Sequence, residues 1–146
     1  MEFKKIKCFF QVLIISIILP FFSNCSKDVL PADVNLSYNM LADKTWFLEY
    51  SQTISGNTTA TNTYVGQPTY FINFLRNQTT VDSDGLSGTF RIEKNNNQLQ
   101  LFVVAKTSNG NMVEYIYNLE SVGNKFLIVS FTKNNVLTKY YYSSNK

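Results

Sequence analysis

Thr89-Phe90-Arg91-Ile92-Glu93-Lys94-Asn95-Asn96-Asn97-Gln98-Leu99-Gln100-Leu101-Phe102-Val103 decides the fold of this chain. Phe90 and Ile92 alternate with Thr89, Arg91 and Glu93, and after an asparagine cluster Leu99, Leu101 and Val103 alternate with Gln100 and Phe102. A period of two places the apolar residues on one face of a strand. Asparagine tolerates the positive φ that a tight hairpin needs, so the Asn95-Asn96 pair predicts a turn joining two antiparallel strands.

The same pattern extends in both directions. Upstream, Trp46, Leu48 and Tyr50 alternate with Phe47, Glu49 and Ser51, and Tyr70, Ile72 and Phe74 share one parity. Downstream come Val113, Tyr115, Tyr117 and Leu119, then the runs 126–131 and 136–142. Asp84-Gly85, Asn109-Gly110, Gly123-Asn124 and Asn134-Asn135 supply further turns between them. This gives eight or nine strands, the count depending on residues 61–65 and 78–81. No amphipathic stretch is long enough for a crossover helix, which rules out a parallel α/β fold. An antiparallel meander of this size removes its edges best by closing, so the expected architecture is all-β: an eight-stranded up-and-down barrel. A β-sandwich is the alternative. Leu36, Met40 and Leu41, with Asn35 as cap, predict a short helical turn before the first strand. Residues 51–62 are polar and unpatterned, and read as one long connection that could cover the mouth of a barrel.

The N-terminus belongs to a different class. Lys4, Lys5 and Lys7 precede an apolar run over 9–22 that is shorter than the ~20 residues of a membrane span, the pattern of a cleaved export signal. Phe22-Ser23-Asn24-Cys25-Ser26 resembles the lipobox of bacterial lipoproteins, in which the cysteine is acylated and becomes the first residue. The expected organisation is a signal peptide over 1–24, a polar tether over 25–40 and one barrel domain over 41–146. A membrane is then the expected partner, reached through acylated Cys25, in the cell envelope and on the outer membrane.

Composition excludes several functions. The chain has no histidine, and beyond Cys25 no cysteine, so Ser-His-Asp triads, Cys-His pairs and most transition-metal sites are absent and the domain has no disulfide. Removing Lys4, Lys5, Lys7 and Glu2 with the leader leaves ten basic and nine acidic side chains, too even a balance to neutralise a nucleic-acid backbone. Glu49, Glu93, Glu114 and Glu120 lie among alternating strand residues and read as solvent-facing charge. Asp82-Ser83-Asp84-Gly85 departs from a calcium loop at Leu86 and Ser87 and reads as a turn. The expectation is a non-catalytic protein without a cofactor.

From residue 41 onward the chain resembles the lipocalin-like lipoproteins of Bacteroidetes-type bacteria. The likeness is carried by the segment from Leu41 to Leu48, by Phe71-Ile72-Asn73-Phe74, by Gly88-Thr89-Phe90-Arg91-Ile92, by Leu99-Gln100-Leu101 and by the Tyr-rich close at 139–142. Lys44 stands where that family has a glycine. The resemblance implies the eight-stranded barrel and a small apolar ligand within it. Trp46, Tyr50, Tyr70, Phe74, Tyr115 and Tyr117 share the parity of their strands' core-facing sets and are the candidate ligand-lining residues, tyrosine hydroxyls fixing a polar end. Phe47, Phe71, Phe102 and Phe131 fall on the opposite parity, and Tyr140, Tyr141 and Tyr142 cannot all face inward. They suggest a second role, contact with an envelope protein, a glycan or a protease through outer aromatic rings.

Overall fold

A computed structural model describes residues 33–107 and 109–144. The expected leader over 1–24, Cys25 and the rest of the first half of the expected tether, up to residue 32, lie outside the described residues. The described part begins with one helix, α1 (Val34–Leu41), followed by nine antiparallel strands: β1 (Lys44–Ser55), β2 (Thr58–Thr63), β3 (Phe71–Phe74), β4 (Thr79–Asp82), β5 (Ser87–Asn95), β6 (Gln98–Lys106), β7 (Met112–Val122), β8 (Phe126–Lys133) and β9 (Val136–Ser144). From β3 to β9 each strand pairs with the next, β1 pairs with β3, and β9 returns to pair with β1 from Trp46 to Ile54. Eight strands therefore close a barrel and β2 is an addition to it. Closure satisfies the backbone groups that a sheet edge would leave to water.

The β5–β6 hairpin forms as its sequence dictates, with Asn95 opposite Gln98 and positive φ at Asn96 and Asn97. Asn134 and Asn135 do the same between β8 and β9. Residues 51–62 do not form a loop. They are the end of β1 and most of β2, joined by a two-residue turn at Gly56-Asn57, with Ser55 opposite Thr58. The signal was a Gly-Asn pair between Thr-rich runs; β2 buries nothing, so no apolar alternation announced it. The β2 and β3 strands are two halves of one line along β1. Tyr64 N–H donates to Glu49 O and Leu48 N–H to Tyr70 O, and residues 65–69 loop out between them.

One end of the barrel is sealed. Asp33, not Asn35, caps α1, its carboxylate accepting from Asn35 N at 2.8 Å. The helix turns Val34, Ser37, Tyr38 and Leu41 toward the barrel, an i, i+3, i+4, i+7 stripe in which only Leu41 belongs to the anticipated set; Leu36 is exposed. Beneath it lie Trp46, Phe74, Phe90, Leu101 and Leu127, all at most 2% exposed. Tyr38 stacks on Phe90 at 5.7 Å between centroids and Phe74 meets Phe90 edge-on at 4.9 Å. Trp46 Nε1 donates to Leu41 O at 2.9 Å, and Arg76 Nε to Asp43 Oδ2 at 2.7 Å. The single tryptophan thus ties the helix to the first strand while filling the barrel's closed half.

Candidate functional site

Above that packed layer the interior opens. A cleft of about 280 Å³ enters from the opposite end of the barrel, with Ile72, Val103 and Ala105 as its floor and Tyr115, Tyr117 and Tyr140 as its wall. Asp82, Asp84 and Leu86, from the β4–β5 turn, form its lip. Asp82 holds that turn, its Oδ1 accepting from the backbone N–H of Asp84 and of Leu86, both at 2.9 Å. The stretch is a turn, as its sequence suggests, with Gly85 at φ 75°.

The wall is slit on one side. Pairing between β7 and β8 runs from Val122–Leu127 to Asn118–Ser130 and there ends. The next pair in register, Tyr117 and Phe131, touch only through their rings, edge-on at 5.9 Å. Beyond them β7 and β8 part around a slot of about 570 Å³ that shares Tyr115, Tyr117 and Tyr140 with the inner cleft. A bulge between Leu119 and Ser121 precedes the parting, and bulges add local twist that swings a strand away from its neighbour. Its extra residue, Glu120, points outward and accepts from Ser130 Oγ at 2.6 Å. The rings along the slot form a series in which Tyr115 stacks on Tyr117, Phe131 meets Tyr140 and Tyr140 meets Tyr142, all within 6.3 Å.

The six anticipated lining residues divide three ways. Tyr115 and Tyr117 line the cleft. Trp46 and Phe74 face inward but are sealed into the core under α1. Tyr50 faces outward, a correction with a clear cause. A second bulge between Leu48 and Tyr50 inserts Glu49, so Leu48 opposes Tyr142 inside while Tyr50 opposes Tyr141 outside. One extra residue reverses every later side chain on the strand, and Tyr50 stacks on Tyr141 at 4.2 Å. Tyr70 keeps the inward parity, opposite Leu48, but does not line the cleft. It precedes β3 at the barrel's rim, is 43% exposed, and packs edge-on against Tyr64, at the other foot of the loop. Phe131 is the converse error, lying inside between Tyr117 and Tyr140. Tyr140, in the cleft, and Phe131, in the slot beside it, are the inward rings missed by the parity count; alternation from Leu127 and Val129 to Phe131 would have found the second.

On the outside, Phe47 meets Phe71 and Phe102 lies under the Arg91 guanidinium at 4.1 Å, while Arg91 also pairs with Glu93 at 2.6 Å. A shallow notch of about 270 Å³ lies beside the Glu49 bulge, between Phe47, Tyr64 and Pro68. Among the described residues there is no group of three or more His, Cys, Asp or Glu that could hold a metal, and no helix long and apolar enough to cross a membrane.

Burial pushes the Tyr117 and Tyr142 hydroxyls well above the ordinary tyrosine range, with neighbouring tyrosines and Asp82 adding to the effect. A folded-state pKa raised above the unfolded value means the native state holds its proton longer. The associated stability is complete below about pH 10 and is lost as pH rises through the folded values. Phenolate absorbance during a pH titration should therefore show Tyr117 and Tyr142 ionising only as the barrel unfolds, and Tyr142→Phe should flatten the fall in stability above about pH 10. Ionisation of all nine tyrosines in one step on a folded chain would contradict the buried placement.

No protein-family model, curated protein or solved structure matches this chain.

Proposed function

We propose that this protein is a lipid-anchored envelope lipoprotein whose barrel holds a small, largely apolar ligand in the cleft behind Tyr115, Tyr117 and Tyr140. The observation that carries the reading is the division of the interior: one half packed solid around Trp46, the other open and walled by aromatic rings. An aromatic-walled concavity with a few polar groups at its mouth is what small-molecule sites look like in general. The resemblance to lipocalin-like lipoproteins supports the same reading, and the lipobox-like segment ending at Cys25 supports attachment to the outer membrane through acyl chains.

Two experiments test it. Cys25→Ala should move the protein from the membrane to the soluble fraction of the cell envelope and abolish incorporation of labelled fatty acid; unchanged fractionation would remove the anchor from the account. Native mass spectrometry of the full chain after exposure to envelope lipid extract should show a discrete added mass. Ala105→Phe, which fills the floor of the cleft, should remove that mass with folding intact. An unmodified mass for the wild type would sink the ligand reading.

A second reading has its own observation. Phe47, Tyr50, Phe71 and Tyr141 form ring pairs on the outer face of β1 and its neighbours, a surface suited to another envelope component. Tyr141→Ser, which also removes the hydroxyl that donates to Gln52 Oε1, should then abolish partner capture while leaving the cleft's ligand in place.

A further inference from the structure

The cleft has a charge character that its apolar walls alone do not give. Two of the groups at its lip are the carboxylates of Asp82 and Asp84, and among the described residues no lysine or arginine lines it. Lys133 stands on the rim of the side slot. Arg91 is engaged outside the barrel with Glu93 and Glu114, and Lys106 is exposed at the end of β6. Asp82 is not turned away from the rings: it stands opposite Ile72 across β3 and β4 and lines the same cleft as Tyr115, Tyr117 and Tyr140.

Resting on the ligand reading above, we infer that the cleft selects an organic cation: an amine or quaternary ammonium on an aromatic or aliphatic body, its charge between Asp82 and the faces of Tyr115, Tyr117 and Tyr140. The rings contribute in the same sense as the carboxylate. Tyrosine carries negative potential over its face, and a cation within ~6 Å of a ring centroid is attracted to it, more strongly as water is excluded. An anionic ligand meets the opposite field from both sources, which disfavours fatty acids and phosphorylated headgroups without a compensating cation. The apolar floor of Ile72, Val103 and Ala105 accepts the body of the ligand and the open lip keeps the charged end near water, so its desolvation cost is partial.

The test compares three soluble probes sharing one benzyl group: benzyltrimethylammonium, N-benzylacetamide and benzylsulfonate. Each is titrated calorimetrically into the full chain held in nanodiscs of a zwitterionic lipid, with empty discs as blank. The cation is expected to bind at least about 10-fold more tightly than the neutral probe, with the anion weakest. Asp82→Asn keeps an oxygen to accept from Asp84 and Leu86, so the turn persists, and it should reduce that preference to within about 3-fold while leaving N-benzylacetamide unaffected. Tyr115→Leu, at a position 38% exposed and so tolerant of change, should weaken the cation several-fold more than the neutral probe. Equal binding of cation and neutral probe, or tighter binding of the anion, overturns the inference and leaves the cleft as a ligand site. Absence of binding by all three overturns the inference and also the reading of the cleft on which it rests.

Discussion

Trp46→Ala should cost about 3–5 kcal/mol of folding stability, the range for deleting a large aromatic side chain from a packed core. For a domain of this size that is enough to leave a substantial unfolded population at 37 °C. The side chain is fully buried, and it fills the closed half of the barrel while its Nε1 donates to Leu41 O at 2.9 Å. Truncation opens a cavity among Phe74, Phe90 and Leu101 and leaves a buried carbonyl at the end of α1 without its partner. Trp46→Phe separates these effects, keeping most of the volume and losing the hydrogen bond, and should cost about 1–3 kcal/mol. Urea titration followed by far-ultraviolet circular dichroism checks both. A loss below about 1 kcal/mol for the alanine variant would show that the closed end is not packed as described.

Gly88→Val should be nearly as damaging, at about 2–4 kcal/mol, for a reason unrelated to cavities. Gly88 lies in β5 opposite Ala105, where a Cβ would overlap the Val104 carbonyl oxygen and stand 2.7 Å from the Ala105 Cα. Both obstacles are backbone, so β5 and β6 would have to separate at the position that also forms the cleft floor. Gly85→Ala is the contrast. A Cβ there meets nothing, and only the positive φ of 75° disfavours it, at roughly 1 kcal/mol. If the two variants lose equal stability by thermal denaturation, close approach is not what makes Gly88 necessary.

The strands were legible because most of them bury one face and expose the other, so apolar residues recur at every second position. Asn96, Asn97, Asn134 and Asn135 marked their turns because few other side chains adopt positive φ so readily. Reading failed at particular residues. The Glu49 bulge is invisible in a pattern of alternating residues, and it alone sent Tyr50 to the outer surface. β2 has no buried face, so its six residues carried no periodic signal. Within the candidate site, Tyr115 and Tyr117 were legible from the parity of β7. The slot beside them was not, because it depends on where β7 and β8 stop pairing, and no residue type encodes that distance along a ladder.

Tyrosine ring resonances of the isotopically labelled full chain, recorded in nanodiscs before and after addition of envelope lipid extract, test the central claim most directly. A ligand in the barrel should shift Tyr115, Tyr117 and Tyr140 and leave Tyr50 and Tyr141 unmoved, because the last two lie on the other side of the wall. Shifts confined to Tyr50 and Tyr141, or no shift at any of the five, would contradict a ligand site inside this barrel.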